Sequence, residues 1–501
     1  MRVRHHHRRR RGATGIAVAA AAAVLGANSV PPLRRAAAAD AGRDFVVGFR
    51  ADSRPTERQR ALDGLGLEVV RAVPPLDVVR VRPAGTTPSR AAVLASPAVA
   101  SVDELGRFQT SENRRQAQTG AAAPNDPGFP RQWNLPLIQV PEAWSVSRGA
   151  GATVAVLDTG VAFEDFERYQ RAPDLAGTKF VPGRDVIDGD DHPNDDIDPL
   201  AASRPAHGTH SAGILAQTTD NGLGQAAVAP DAAIMPVRVL DPNGSGTDDQ
   251  IAAGLVFAVD HGAQVVNMSF DSPMDRPMTR AAVAYAASKG ITMVAAAGNT
   301  GRSPVGFPAA YPEVIAVGAV RVDRTRPAYS SFGALGDVDL VAPGGDLSVD
   351  QNGDGTPDGI LAESMVYSTN GFGDLLVEGT SAAAPHVSGV AALLIGSGLA
   401  TTPEQVRRAL ESSAVDLGPP GPDPFYGAGL VQARSALTAA GAPPAPPVTV
   451  VAPRPSDGPD GTAPTGTAWV RVGGAVTVLA AGFTILAARR RRRGSPAGGP
   501  D

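Results

Sequence analysis

Three short segments carry side chains that together can break a peptide or ester bond: Asp158 in VAVLDTGV, His207 in HGTHSAGI and Ser381 in GTSAAAPHVSGV. A hydroxyl, a base and an acid form a nucleophilic relay, in which the base takes the hydroxyl proton and the acid orients the base. Each segment alone has another use. Asp-Thr-Gly also marks aspartic proteases, whose dyad needs two copies, and only one occurs here. Two histidines three residues apart suggest a metal site, yet HExxH is absent. A serine ahead of small residues is a common helix N-cap. Chain order narrows the choice, because unrelated hydrolase folds arrange the same three groups in different orders.

The elements that must position these groups are legible beside them. Val154 to Leu157 is a short apolar run ending in Asp158. It reads as a buried parallel strand with its carboxylate at the C-terminal edge, where open α/β sheets gather functional groups. His207 precedes Gly208-Thr209 and a small-residue helical stretch from Ser211 to Ala216. Ser381 heads the stretch running on through Val387 to Ile395, so its hydroxyl sits at a helix N-terminus whose N–H groups favour a developing oxyanion. Asn299, in VAAAGNT after another apolar run, offers a side-chain donor. His210 and His386 read as buried structural histidines. Apolar runs at 152–157, 233–239, 265–269, 292–297 and 314–320 alternate with helical stretches at 249–261 and 278–289, which argues a mainly parallel sheet covered on both faces.

These motifs, in the order Asp, His, Ser, resemble the subtilisin-like serine proteases (subtilases, peptidase S8), and the resemblance covers most of residues 125–440. It implies a subtilisin-like three-layer α/β/α fold and a serine endopeptidase working through an acyl-enzyme. Asn299 matches the family's oxyanion donor. Gly244, Ser245 and Gly246 match its exposed substrate-pairing strand. Ala297-Gly298 and Val305-Gly306 match two walls of the pocket for the residue before the scissile bond. The third wall departs: the family usually reads Ser-Leu-Gly-Gly where this chain has Ser269, Phe270, Asp271 and Ser272. Asp271 either pairs with a basic substrate side chain or points to solvent, leaving a broad apolar preference. IDPLAASRP before His207 departs too and reads as a surface insertion.

Composition fits a large exported hydrolase. The chain has 501 residues, 43% hydrophobic and 19% charged, and no cysteine. That excludes disulfides, thiolate catalysis and cysteine-based zinc sites together. Residues 1–39 read as an export signal: six arginines by Arg11, an Ala-rich core, and Ala37-Ala38-Ala39 before Asp40. Residues 40–124 read as a separate domain in β-α-β-β-α-β order, ferredoxin-like. It resembles the inhibitory propeptide of subtilases. Its net charge is +2 against −19 for residues 125–488, a difference that favours association. The polar stretch Thr110 to Pro124 reads as an exposed site for self-cleavage.

Asp350, Asn352, Asp354, Thr356 and Asp358 follow the alternating oxygen spacing of a calcium loop, with Gly355 for the turn; the EF-hand's final glutamate is missing, since Ile360-Leu361 follow. Ca2+ is therefore expected as a structural ion. The acidic run Asp188 to Asp198 reads as a solvated loop. Residues 441–467 form a Pro-rich spacer. Residues 468–488 make an apolar span of roughly 30 Å, and Arg489 to Arg493 place a basic tail, 489–501, in the cytoplasm. The sequence thus describes a protease tethered outside the membrane, with protein or peptide substrates and its own propeptide as partners. Two alternatives accompany it: a mycosin-like processing protease of a secretion apparatus, and a non-catalytic surface-binding module on a subtilase scaffold.

Overall fold

A computed structural model describes residues 44–110, 113–116, 125–195, 206–334, 336–366 and 371–443. The expected leader, the insertion before His207, most of the spacer, the apolar span at 468–488 and the basic tail lie outside the described residues. Among the described residues, no helix is long and apolar enough to cross a membrane.

The first six elements are β1 (Phe45–Phe49), α1 (Pro55–Gly64), β2 (Leu67–Ala72), β3 (Val78–Pro83), α2 (Arg90–Leu94) and β4 (Val99–Glu104). They form an antiparallel sheet ordered β2-β3-β1-β4, the expected ferredoxin-like arrangement. Alternation along β1 serves two faces. Val47 and Phe49 join Leu62 and Val93 in a core under the two helices. Val46 points the other way and joins a core of the large domain.

Two short strands follow, β5 (Arg107–Thr110) and β6 (Asn113–Gln116), then two single-turn helices, α3 (Asn134–Leu137) and α4 (Val140–Ala143). The main sheet contains β7 (Thr153–Asp158), β8 (Lys179–Phe180), β9 (Arg184–Asp185) and β10 (Ala233–Arg238), with α5 (His207–Ala216) between the last two. Beyond β10 come β11 (Ser245–Thr247), α6 (Asp248–Asp260), β12 (Val265–Met268), β13 (Phe270–Asp271), α7 (Pro277–Ser288), β14 (Thr292–Ala296), β15 (Val314–Val320) and β16 (Leu340–Pro343). The sheet order is β16-β15-β14-β12-β7-β10-β8, with β9 also on β10, and every pairing in it is parallel. Element limits fall within a residue or two of the sequence expectation, and β15 matches it at both ends.

The near-continuous apolar strands are explained by burial on both faces. Val154 and Val156 of β7 face one core. Ala155 and Leu157 face the other. The first core is closed by α5 with α8 (Thr380–Gly396), α9 (Pro403–Ser412) and α10 (Ala433–Ala439). The second is closed by α6 and α7, on which the small domain's sheet also rests through Val46 and Val73. The result is three layers. A hairpin, β17 (Ile360–Val366) and β18 (Gly371–Glu378), leads into α8.

Candidate active site

Asp158 ends β7, and the β7–β12 register sets Leu157 opposite Met268, so Asp158 and Ser269 stand level at the C-terminal sheet edge. The Asp158 carboxylate is fully buried. His207 Nδ1–H donates to its Oδ1 at 2.7 Å. That leaves Nε2 as the basic nitrogen of the neutral ring. Thr159 N also donates to Oδ1, at 2.8 Å.

His207 is the first residue of α5, after Ala206 in the left-handed region (φ 40°, ψ 56°). The helix can approach β7 this closely because residue 208 is glycine. A Cβ there would lie 2.1 Å from the Gly160 carbonyl oxygen and 2.9 Å from Asp158 Cβ.

Ser381 is the second residue of α8, and its carbonyl accepts the Ser269 hydroxyl at 2.9 Å. Ser269 is held in turn by Asn267 Nδ2 at 2.9 Å, and Ser388 of α8 donates to Asn267 Oδ1 at 2.8 Å. A buried polar chain therefore fixes the serine helix to the sheet edge that carries Asp158. Asn299 Oδ1 accepts from Thr380 N at 2.9 Å and from Thr380 Oγ1 at 2.7 Å, which makes Nδ2 the donor end of that side chain at the serine. His210 and His386 are buried as expected.

Several of the remaining candidate residues lie on the two strands that flank β5. Ser245–Thr247 pairs antiparallel with β5 on one side, and Phe270–Asp271 pairs with β5 on the other. Gly244 makes the turn before this strand, with φ 70°. Phe270 and Ser269 are buried, Phe270 in the core behind the sheet. Within the stretch read as the self-cleavage site, Thr110 closes β5, and Asn113–Gln116 pairs with Leu375–Glu378 of β18.

In the run read as solvated, Asp188, Asp190 and Asp191 are exposed as expected, but Asp195 is not. It is 2% exposed and accepts from Thr209 N at 2.9 Å and Thr209 Oγ1 at 2.7 Å, bracing the start of α5. Burial pushes its carboxyl up to about 6, against the pull of the threonine hydrogen bonds. No composition signal marks it, because a lone buried aspartate inside an acidic run looks like its neighbours.

In the expected calcium loop, Asp350 Oδ1 and Oδ2 accept from Gly353 N and Gly355 N, and Asp354 Oδ1 accepts from Thr356 N. Asn352 Oδ1 accepts from Asp354 N. Asp358 Oδ2 accepts from Gln351 N, while its Oδ1 is buried without a hydrogen-bond partner. Burial raises the Asp358 carboxyl, and the negative charges of Asp350 and Asp354 add to this. Among the described residues, no group of three or more histidines and carboxylates lies close enough to hold a metal ion.

The subtilase family model, peptidase S8, matches residues 149–429. The chain is 37% identical over 316 residues to thermitase of Thermoactinomyces vulgaris, an alignment covering 63% of this chain and 99% of that protein. It is 34% identical over 308 residues to Subtilisin Savinase of Lederbergia lenta, covering 61% and 97%. Among solved structures, fervidolysin of Fervidobacterium pennivorans, a keratinolytic enzyme related to subtilisin, aligns with a TM-score of 0.64 at 28% identity. That alignment covers 81% of this chain and 61% of fervidolysin.

Proposed function

The chain belongs to the subtilase family and is a subtilisin-like serine endopeptidase, and from that premise we propose the roles of its residues, its maturation and its location. Ser381 Oγ attacks the substrate carbonyl while His207 Nε2 takes its proton. Asp158 holds the ring and stabilises the imidazolium. Asn299 Nδ2 and the Ser381 N–H bind the oxyanion. His207 then returns the proton to the departing amine, leaving an acyl-enzyme that water hydrolyses by the same steps in reverse. The observation that carries this reading is the 2.7 Å bond from His207 Nδ1 to buried Asp158, which presets the base.

The small domain acts as an inhibitory propeptide. Its sheet rests on α6 and α7. Arg71 and Arg80 reach Asp249 at the start of α6, at 3.0 Å and 3.3 Å. β5 fills the groove on one side of Ser381, and β6 pairs with the strand that runs directly into Gly379-Thr380-Ser381 on the other. Self-cleavage falls within the stretch from Thr110 to Pro124, which holds Arg114 and Arg115. The loop from Asp350 to Asp358 takes up Ca2+ by drawing its separated carboxylates together; its alternating oxygens and the unsatisfied buried Asp358 Oδ1 support this reading.

Export by residues 1–39 and anchoring by residues 468–488 leave the protease facing outward, with the tail in the cytoplasm. The Pro-rich spacer and anchor keep the mycosin-like processing role as a second reading. Intact mass of wild type and Ser381→Ala, each purified with calcium, tests the assignment. Wild type alone should lose a fragment ending between residues 110 and 124. Two full-length chains that both resist labelling by a serine-directed phosphonate would favour the non-catalytic module.

A further inference from the structure

Beside the serine, three backbone segments are stitched around one small space. Ser272 and Phe307 exchange two hydrogen bonds of 2.8 Å, and Gly306 N donates to Ala297 O at 3.0 Å. Gly298 N donates to Thr380 Oγ1 at 3.1 Å, which seats the middle segment against the residue before Ser381. The β5 register sets Gln109 opposite Asp271 and Thr110 opposite Phe270. A peptide replacing β5 thus brings its next residue level with Ser269, whose hydroxyl holds the Ser381 carbonyl. The side chain of that residue, the one before the scissile bond, enters this space.

Glycines line two of the three segments, and Asp271 leans across them. A Cβ built on Gly298 would lie 3.1 Å from Asp271 Oδ2 and 3.2 Å from Ser331 Oγ. One built on Gly306 would lie 2.8 Å from the same carboxylate oxygen. The carboxylate therefore occupies the room that the glycines leave. A carboxylate bordering this space matches a guanidinium or ammonium group, with charge-assisted hydrogen bonds that a neutral side chain cannot make.

Resting on the protease reading above, we propose that Asp271 makes this pocket select peptides with arginine or lysine immediately before the scissile bond. Such a cation gains the ion pair at the point where its stem is already covered by the pocket walls. Leucine or phenylalanine must instead desolvate the carboxylate without replacing its hydrogen bonds.

The test compares kcat/KM for peptides differing only at that position (Arg, Lys, Leu, Phe or Ala) on the full chain as wild type, Asp271→Asn and Asp271→Gly. The Arg-to-Leu ratio should fall about tenfold to hundredfold in Asp271→Asn, the factor expected for a charge-assisted hydrogen bond. Asn keeps the size of the side chain, so that fall reads charge and not shape. An unchanged ratio overturns the proposal. A wild-type preference for Ala over both Arg and Leu, relaxed by Asp271→Gly, also overturns it, because the carboxylate then acts as a plug. Phosphonate labelling of Ser381 separates the two levels. Labelling without a basic preference sinks this inference alone; no labelling and no cleavage of any peptide sinks the protease reading with it.

Discussion

Asn134 and His386, 252 residues apart in sequence, share a buried hydrogen bond of 2.8 Å from Asn134 Nδ2 to His386 Nε2. The other ring nitrogen donates to the Ala382 carbonyl at 2.8 Å, so the neutral ring is satisfied at both ends. It also ties the entry segment of the catalytic domain to the helix that carries Ser381.

This bond sets an acid limit on the fold. Burial lowers the His386 pKa to about 4, from an ordinary value near 6.5. The unfolded chain therefore binds the extra proton first, and stability present above about pH 6.5 is lost as pH falls toward 4. In a Ser381→Ala background, melting temperature against pH should drop less steeply across that window for His386→Leu, though from a lower start. Parallel curves would rule out His386 as the group responsible.

Asn299→Ala should lower kcat by about 10²–10³ with little change in KM, since an oxyanion donor acts chiefly in the transition state. A rise in KM at constant kcat would instead make Asn299 a ground-state contact.

Gly208→Ala tests the close approach of α5 to β7. Its Cβ has no room beside the Gly160 carbonyl. We expect a loss of about 1–3 kcal/mol or more from overpacking, together with loss of activity as His207 moves off Asp158. Melting and turnover measured on one preparation check this, and retained activity at an unchanged melting temperature contradicts it.

Asp249 is buried and accepts from Arg71 and Arg80 of the small domain. Asp249→Asn should weaken retention of the cleaved propeptide by about tenfold or more, because Arg71 loses its carboxylate partner and Arg80 keeps only Asp44 of its own domain. Gel filtration after self-cleavage, at low and high salt, reads this directly. Equal retention in both proteins would locate the affinity in the apolar contacts.

Calcium should raise the melting temperature of wild type more than that of Asp358→Asn, because binding to the folded state alone stabilises it by mass action. Titration in chelator-treated buffer gives both curves. Equal shifts would move the ion elsewhere in the molecule.

The sheet was legible from sequence because its strands are buried on both faces and announce themselves as apolar runs, β15 most plainly. The serine, histidine and aspartate motifs were legible because each sits at the end of such an element. Asp195 was not, because only the fold decides whether an acidic residue meets Thr209 or water. Pairing of β5 and β6 left no trace either: those contacts are made by backbone N–H and C=O groups, which every residue possesses. Phe270 shows the opposite limit, since a large side chain next to a groove is as easily core as contact.

The three-stranded arrangement of β11, β5 and β13 has a consequence for what this enzyme can digest. Its two outer strands stand two sheet spacings apart, about 10 Å, a slot one polypeptide wide. Neither a helix nor a strand already paired within its own sheet fits. A target must first release several residues as a bare extended segment, at whatever free energy its own fold demands for that local opening. The rate at which a folded protein is cut should thus follow the looseness of its weakest segment before it follows any sequence preference. In that sense the slot measures the stability of other proteins.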